Sequence, residues 1–456
     1  MKLNIKHKIC YGIGNLGYSA VNQTITNFFM FFGTSVLKIP GTFIGLAIAL
    51  SMVWDAITDP VVGFVSDNKK LGCFGYRNGY MLIGAIGVSI ANLFIWCVPT
   101  NLSVAAKFVW VLISLIFNET FCTLYSTPYG ALSGDLATEY NDRTVIQVYK
   151  TIFFLIGMIL PSLLLNIFLP STPEYPQGQL NPNGYKNIAI VCSLIMIVCG
   201  VICVVGTLKI SKDKKCVGSN QKIGFKTLFI SFFDCLKDEC QRVVVLGYAI
   251  SMISATILTS VGLHFFTYCF NYKSSQITVL LALLLVGMIL SQPLWCKVSL
   301  KNDKKPTLLS GLLVAICGVV VIMLTYVFRS TWSLFSFYVI AAAIFVVGAG
   351  AGVLYTLPAS MYLDVVALVS KQENGGSAVF QSFLTFSANF LNAITLLIVG
   401  VLLDLIGFNP NNMVQSRPVQ MGIAIILFLG VLISLIGSFF IFSRYKLKQK
   451  HFKNEQ

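Results

Sequence analysis

The sequence predicts an all-α membrane protein with twelve transmembrane helices in two six-helix halves. Of the 456 residues, 56% are hydrophobic and only 11% are charged, whereas a soluble domain carries about 25% charged residues. Apolar runs long enough to cross a bilayer, about 20 residues each, recur along the whole chain. Such a chain cannot cover a water-facing surface, so most of it must face lipid.

The apolar runs form two sets of six, separated by a polar stretch. This division predicts an N-terminal half at 1–208, a cytoplasmic central loop at 209–241, a C-terminal half at 242–443 and a cytoplasmic tail at 444–456. The predicted spans are 9–37, 42–66, 79–98, 104–132, 144–170 and 187–208, and then 242–269, 276–296, 306–328, 333–362, 376–405 and 419–443.

The basic residues indicate how the chain is oriented. The net charge is +15, and most Lys and Arg residues lie in the loops that are cytoplasmic if the N-terminus is inside, as the positive-inside rule requires. We therefore expect a multi-pass protein of the plasma membrane with both termini in the cytoplasm. No basic stripe interleaved with aromatics lies on a soluble domain, so the charge does not indicate nucleic-acid binding. We expect a monomer whose partners are membrane lipid and a small-molecule or lysolipid substrate.

Two pairs of proline-centred segments repeat at nearly the same offset, one half apart. Pro60 matches Pro293, each followed by Val-Ser and a Lys pair, and Pro128 with Asp135 matches Pro358 with Asp364. The second and eighth helices, and the fourth and tenth, therefore occupy equivalent places. Two six-helix halves in parallel repeat are the layout of the major facilitator fold, in which substrate binds between the halves near the bilayer midplane.

The most informative segment is WDAITDP, residues 54–60, in the second helix. Asp55 lies about 18 Å of helix into its span, near the bilayer centre, and Asp59 lies one turn further on the same face. Two carboxylates there are costly and repel each other, and a bound Na⁺ or a shared proton relieves both penalties. The alternative is that they pair with Lys150 or with the backbone and only stabilise the fold. We expect Asp55 and Asp59 to bind the coupling cation, with no other metal and no cofactor.

Further polar residues lie inside predicted spans. Glu119 is in the middle of the fourth helix. It is either a group that takes part in coupling or a neutral, hydrogen-bonded contact between helices. Lys150, in the fifth helix, is a salt-bridge partner or a contact for an anionic or polar substrate group. The first helix carries a polar stripe that lines a cavity or packs on a neighbour. The candidate substrate or coupling residues are therefore Asn15, Tyr18, Ser19, Asn22, Glu119 and Lys150.

Charged residues near the cytoplasmic ends of the helices suit a gate. Asp67 follows Gly63 by four residues, and Arg77 lies in the next loop. The positive-inside rule explains the basic residues of this loop but not the spacing of Gly63 and Asp67. The predicted cytoplasmic gate consists of Asp67, Arg77, Asp135, Arg143 and Asp364. The Cys and His residues have no metal-binding spacing. His264, beside aromatic residues, is a packed or interfacial histidine or, alternatively, a proton relay.

The chain resembles the glycoside-pentoside-hexuronide:cation symporter family of the major facilitator superfamily. The resemblance rests on YGIGNLGY (11–18), WDAITDPVVGFVSD (54–67), FGYRNGYMLIG (74–84), TPYGAL (127–132), DRT (142–144) and LPASMYLDV (357–365). It implies that Asp55 and Asp59 match the cation-binding carboxylates. Ser19 and Ser126 stand where melibiose-type members have acids that hold sugar hydroxyls, which removes charge-assisted bonds to a sugar. The match places Ser126 among the candidate substrate or coupling residues.

Within that family, the sodium-dependent lysophosphatidylcholine symporters look most similar. FNETFCTLYSTPYGAL (117–132), HFFTYCFNY (264–272) and PLWCKVSLKNDKKP (293–306) resemble their fourth, seventh and eighth helices. Lys150 stands where that branch has Arg. Two positions depart from it: Phe386 replaces a Lys, which removes a phosphate contact, and Ser260 replaces an acid.

We therefore expect a cation-coupled secondary symporter that moves a small organic solute or a lysophospholipid by alternating access. The first alternative is a sugar or glycoside symporter of the same fold. A second is an intramembrane enzyme such as a prenyl transferase, but that chemistry needs a second Asp-rich motif, and the repeat-equivalent position holds Gln292-Pro293. A receptor or scaffold would not need three acids inside the membrane. We thus expect a transporter and not an enzyme.

Overall fold

In the computed structural model, the described residues are 5–75, 77–99, 101–136, 140–211, 238–329, 335–370, 377–412 and 414–446. Within these ranges the regular secondary structure is helical, with no strand. The α-helices are α1 (Ile5–Phe31), α2 (Gly41–Asn68), α3 (Asn78–Trp96), α4 (Val104–Leu136), α5 (Tyr140–Phe168), α6 (Pro182–Ser211), α7 (Glu239–Cys269), α8 (Ser274–Asn302), α9 (Lys304–Val327), α10 (Ser336–Ala351), α11 (Leu357–Ser370), α12 (Ser377–Leu405) and α13 (Arg417–Ser443).

The membrane spans agree with the predicted fold class. Within the described ranges, 11 helical spans are long and apolar enough to cross a bilayer. The first helix, α1, is not among them because its polar residues lower its mean hydropathy. It nevertheless runs for 27 residues and packs against α5 and α6, so neighbouring helices shield it from lipid. The prediction of an all-α membrane protein is therefore confirmed.

The tenth predicted span, 333–362, is broken in the structure. Its two helices, α10 and α11, are joined by a 3₁₀ turn at Gly352–Tyr355, although the whole stretch Ser336–Tyr362 is one membrane-length unit. A Cβ on Gly348 would meet the Leu284 carbonyl oxygen of α8. Gly348 therefore lets α10 approach the backbone of α8 closely, as small residues do in membrane helix packing.

Two compact units divide the chain. The first contains Met1–Gln221, Asn271–Ser275 and Gly400–Val414, and the second contains Lys222–Phe270, Gln276–Val399 and Gln415–Gln456. In the first unit, α1 packs on α5 and α6, α3 packs on α4 and α6, and α2 packs on α4. In the second unit, α7 packs on α13 and α11, and α9 packs on α10 and α13.

Buried amides and hydroxyls fasten α3 to α6 in the first unit. Asn78 donates to the carbonyl of Val204 at 2.9 Å. Asn92 donates to the Ala189 carbonyl at 3.1 Å and to the Ser193 hydroxyl at 3.0 Å. Lipid offers no competing partner for these groups, so each bond made inside the bundle fixes the register of the two helices.

The N-terminus of α2 is held by a carboxylate from the end of α12. Asp404 accepts hydrogen bonds from the backbone N–H groups of Gly41 and Thr42, both at 2.7 Å, and from the Thr42 hydroxyl at 2.6 Å. Pro40, at the N-cap position, makes no side-chain cap bond. A carboxylate at this end satisfies free N–H groups and complements the helix dipole, so the helix that carries the acidic pair has a fixed start.

Candidate functional site

The acidic pair lies on the side of α2 that faces away from its outward apolar side chains. Val53 and Ile57 are exposed apolar residues of the kind that face lipid. Asp55 and Asp59 follow each of them by two positions, which places the carboxyl groups about 200° further around the helix. Asp55 is half-buried and Asp59 is exposed. The pair is therefore directed away from the lipid-facing side of α2.

Threonines of α4 contact both carboxylates. The Thr123 hydroxyl donates to Asp55 Oδ1 at 2.6 Å, and the Thr127 hydroxyl donates to Asp59 Oδ1 at 3.3 Å. Thr58 donates to the Asp55 backbone carbonyl at 3.1 Å, and its hydroxyl oxygen lies 3.5 Å from that of Thr123. Two acids spaced four apart on α2 thus face two hydroxyls spaced four apart on α4, which is the register of two packed helices.

These threonines were not among the residues that the sequence singled out. Thr120 belongs to the same stripe and accepts a hydrogen bond from the Trp54 indole at 2.8 Å. The missed signal was the run of Thr120, Thr123 and Thr127 along one face of a helix that also carries Glu119. Because a threonine in a membrane helix can satisfy its own hydroxyl on the preceding turn, this spacing does not identify a site until the facing helix is known.

Carboxylates and hydroxyls together suit a small hard cation. Oxygen ligands of this kind are the ones that hard metal ions prefer. In the described part of the chain, no group of three or more His, Cys, Asp and Glu side chains is placed to hold a metal. The acidic pair is therefore combined with hydroxyl oxygens, and each carboxylate retains an oxygen that these threonine bonds do not use.

Glu119, Tyr18 and Ser126, which the sequence also indicates as candidate site residues, lie near this pair. Glu119 is half-buried on α4, within electrostatic range of both Asp55 and Asp59. Tyr18 of α1 faces the Ser126 side chain and lies within the same range of Glu119 and Asp55. The structure thus brings together five of the predicted residues around the contact of α2 and α4.

The remaining predicted residues of α1 lie along its contacts. Ser19 is buried, donates to the Leu16 carbonyl at 3.0 Å, and packs so tightly on α5 that a Cβ on Gly157 would collide with its hydroxyl. Asn15 donates to the backbone carbonyl of Lys150 at 3.2 Å. Asn22 is half-buried. Ser19 and Asn15 therefore belong to the packing of α1 on α5 and are not grouped with the acidic pair.

Lys150 lies over an aromatic ring. Its ammonium is 5.6 Å from the centre of the Tyr129 ring, and no carboxylate among the described residues lies within ion-pair distance of it. Tyr129 is held in place because it stacks on Tyr11 at 4.5 Å and the two hydroxyls donate to each other's backbone carbonyls, at 2.9 and 3.2 Å. A cation–π contact retains the positive charge of Lys150, and no carboxylate in the described part of the chain neutralises it.

The gate residues are only partly described. Arg77 is buried immediately before α3. Asp67, Asp135, Arg143 and Asp364 lie in the helices α2, α4, α5 and α11, but their side chains are outside the described residues. The cytoplasmic gate stays a prediction. In the second unit, His264 is fully buried with Nδ1 3.1 Å from the Ser260 carbonyl, and Phe386 stacks on Phe390 at 6.3 Å.

Known proteins share both the sequence pattern and the fold. The family model described as MFS/sugar transport protein matches residues 10–449. The sodium-dependent lysophosphatidylcholine symporter 1-B of Danio rerio is 24% identical and covers 98% of this chain and 88% of its own length. The inner membrane symporter YicJ of Escherichia coli is 25% identical over 42% of this chain and 41% of its own length.

The fold is that of solved transporters. A bacterial homologue of the human lysosomal transporter Spinster, in an inward-facing conformation, superimposes with a TM-score of 0.67 over 96% of both chains at 16% identity. The family match spans nearly the whole sequence, and both membrane relatives are named symporters. The chain therefore belongs to the MFS/sugar transport protein family and is an integral, multi-pass membrane transporter, not an enzyme.

Proposed function

We propose that this protein is a cation-coupled symporter in which Asp55 and Asp59 bind the coupling ion. The observation that carries the proposal is the pair of carboxylates one turn apart on α2, each hydrogen-bonded to a threonine of α4. Two ionised carboxylates inside a membrane repel each other and are poorly solvated. A cation bound between these oxygens offsets part of both costs, so the pair is more stable when it is loaded.

The ion that we propose is Na⁺, with H⁺ as the alternative. Asp55, Asp59, Thr58 and Thr123 offer oxygens, the hard donors that hard cations prefer, and the Danio rerio relative is named as sodium-dependent. Loading the pair with one ion removes one of its two negative charges and favours the conformation that binds substrate, which couples the ion gradient to transport. The carboxyl group of Glu119 is close enough to interact electrostatically with the pair, so a cation bound there also acts on Glu119.

For the substrate we propose a lysophospholipid, with a sugar or glycoside as the alternative. Lys150 presents a charge without a described carboxylate partner, which suits a phosphate group. Ser126 and the packed Ser19 offer no carboxylates to sugar hydroxyls, which weakens the sugar alternative. The relatives named as lysophosphatidylcholine symporters support the first substrate class, and the sugar transport family description supports the second. We also propose a monomer in the plasma membrane with cytoplasmic termini.

The proposal is tested by uptake in proteoliposomes. The assay presents lysophosphatidylcholine and a panel of sugars, with Na⁺ present or replaced by choline, at acidic and neutral pH. Asp55→Asn and Asp59→Asn should lower cation-driven accumulation by about tenfold or more, since each removes one charge from the ion site. The matched acid-to-amide control is Glu239→Gln, whose carboxylate makes an exposed ion pair with Lys446 and should leave uptake unchanged.

Two results contradict the proposal. Wild-type uptake that responds neither to Na⁺ nor to pH would show that no cation is coupled. Normal accumulation by both asparagine variants would show that the acidic pair only stabilises the fold. Accumulation of a sugar and not of lysophosphatidylcholine would replace the proposed substrate while leaving the coupling site intact.

A further inference from the structure

Gln292 occupies the position in α8 that the internal repeat assigns to Asp59 of α2. Both ends of its half-buried carboxamide are used. Its Nε2 donates to the Gly352 carbonyl at 2.9 Å, and its Oε1 accepts from the Thr356 hydroxyl at 3.3 Å. Both partners belong to the 3₁₀ turn that divides the tenth span or follow it directly.

Side chains of α8 add hydrogen bonds at the break in the tenth span. The backbone N–H of Thr356 donates to the Val353 carbonyl at 3.4 Å, as in a 3₁₀ turn. In such a turn a carbonyl accepts from the backbone N–H three residues on, and the Gln292 amide is a further donor to the Gly352 carbonyl. The Trp295 indole of α8 supports the same region, because it donates to the Ala349 carbonyl at 2.7 Å. A carbonyl oxygen has two lone pairs, so α8 adds bonds to the broken span in a place where the membrane supplies no water.

The two units carry different side chains at the position of Asp59 and Gln292. In the first, Thr127 of α4 donates to Asp59, and a carboxylate can only accept. In the second, Gln292 pairs with Thr356, one residue before the position that the repeat assigns to Thr127, and an amide both accepts and donates. In the first contact the Asp59 carboxylate keeps its negative charge, which a cation can neutralise. In the second contact the amide is neutral, and both its oxygen and its nitrogen are hydrogen-bonded.

We propose that Gln292 is a positioning residue for transport: its carboxamide holds the 3₁₀ turn Gly352–Tyr355 in shape without an ion. The Gln292 amide thereby forms an uncharged contact in the second unit, whereas in the first unit Asp59 becomes uncharged only when a cation is bound. The comparison between the units rests on the proposed coupling function, whereas the hold of Gln292 on the turn does not. Coupling is then confined to one unit, since the equivalent place in the other is already satisfied.

The test is hydrogen–deuterium exchange of the full-length protein in detergent, which needs neither substrate nor coupling ion. In Gln292→Met, which has a similar length and no donor, the amides that follow Gly352 should exchange about tenfold faster than in the wild type. Gln292→Glu should exchange as fast as Gln292→Met at about pH 8, and approach the wild type at about pH 3, because a protonated carboxyl donates and a carboxylate does not.

The control is Leu294→Met, an exposed apolar residue of the same helix, which should exchange like the wild type at both pH values. The inference is overturned if Gln292→Met protects the turn as well as the wild type does. It is also overturned if Gln292→Glu exchanges as fast as Gln292→Met at low pH. Loss of wild-type cation dependence in the uptake assay would remove the coupling comparison and would leave the exchange result standing.

Discussion

At the scale of single residues, Thr123 orients the Asp55 carboxylate of the proposed ion site. Its hydroxyl donates to one carboxylate oxygen at 2.6 Å, which fixes the rotation of the carboxyl group. The oxygen of the same hydroxyl keeps a lone pair for a metal ion. Thr58, 3.5 Å away, places a second hydroxyl beside it. In the proposed site the threonines thus both orient the acid and offer oxygen ligands to the cation.

We therefore expect Thr123→Val to weaken Na⁺ binding by about tenfold, since an isosteric methyl can neither donate to Asp55 nor ligate a cation. Thr123→Ser should stay close to the wild type. The measurement is the rise in melting temperature of the purified protein during a Na⁺ titration, which reports ligand binding without substrate. Thr325→Val, which also removes a buried hydroxyl bonded to its own helix, is the control. Equal Na⁺ responses in all three variants would contradict this role.

At the scale of the helices, the sequence predicts the elements well and their contacts poorly. Apolar runs of membrane length indicate the spans, and WDAITDP places two acids on one face of α2 by helical periodicity alone. The partner threonines depend on which face of α4 meets α2, and no single-helix pattern contains that information. The break at Gly352 was missed for a related reason, because glycines in a span permit close packing but do not specify the turn.

Ser19 lies in the packed part of the polar stripe of α1. The stripe predicts a cavity lining or packing on a neighbour, and Ser19 is buried against Gly157 of α5. Polar residues in membrane helices serve both purposes, and a stripe viewed alone does not distinguish them. The close approach at Gly157 is what makes this contact possible, and it provides a direct test of the helix pairing.

Gly157→Ala should destabilise the protein by about 1–3 kcal/mol, because the added methyl collides with the Ser19 hydroxyl and the Leu16 backbone. Gly130→Ala, in α4, is the matched control, since a Cβ there meets nothing within 4 Å and alanine favours the helix. Thermal unfolding of the two detergent-solubilised variants provides the comparison. If Gly157→Ala were as stable as Gly130→Ala, α1 and α5 would not be packed in this register.

At the scale of the whole molecule, the charged residues inside the membrane and those outside it follow different patterns. Inside the membrane, acids concentrate around α2 and α4 of the first unit, while the repeat-equivalent contact in the second holds the neutral Gln292. Outside the apolar spans, Lys and Arg give the chain its net charge of +15. In the proposed mechanism the first pattern concerns coupling and the second concerns membrane insertion, so the net charge of the chain cannot reveal the proposed ion site.

The positive-inside distribution predicts the orientation of the whole chain. Epitope tags on the N- and C-termini should bind antibody only after the cells are permeabilised, whereas a tag inserted between α5 and α6, within 171–177, should bind antibody on intact cells. The insertion precedes the 3₁₀ turn Gly178–Leu180 and interrupts no described helix. Surface labelling of both termini on intact cells would reverse the topology. Labelling of one terminus alone would require an odd number of spans and would break the pairing of the two six-helix halves. Because each half needs six crossings to bring its repeat partners to the same membrane depth, this measurement tests the repeat as well as the orientation.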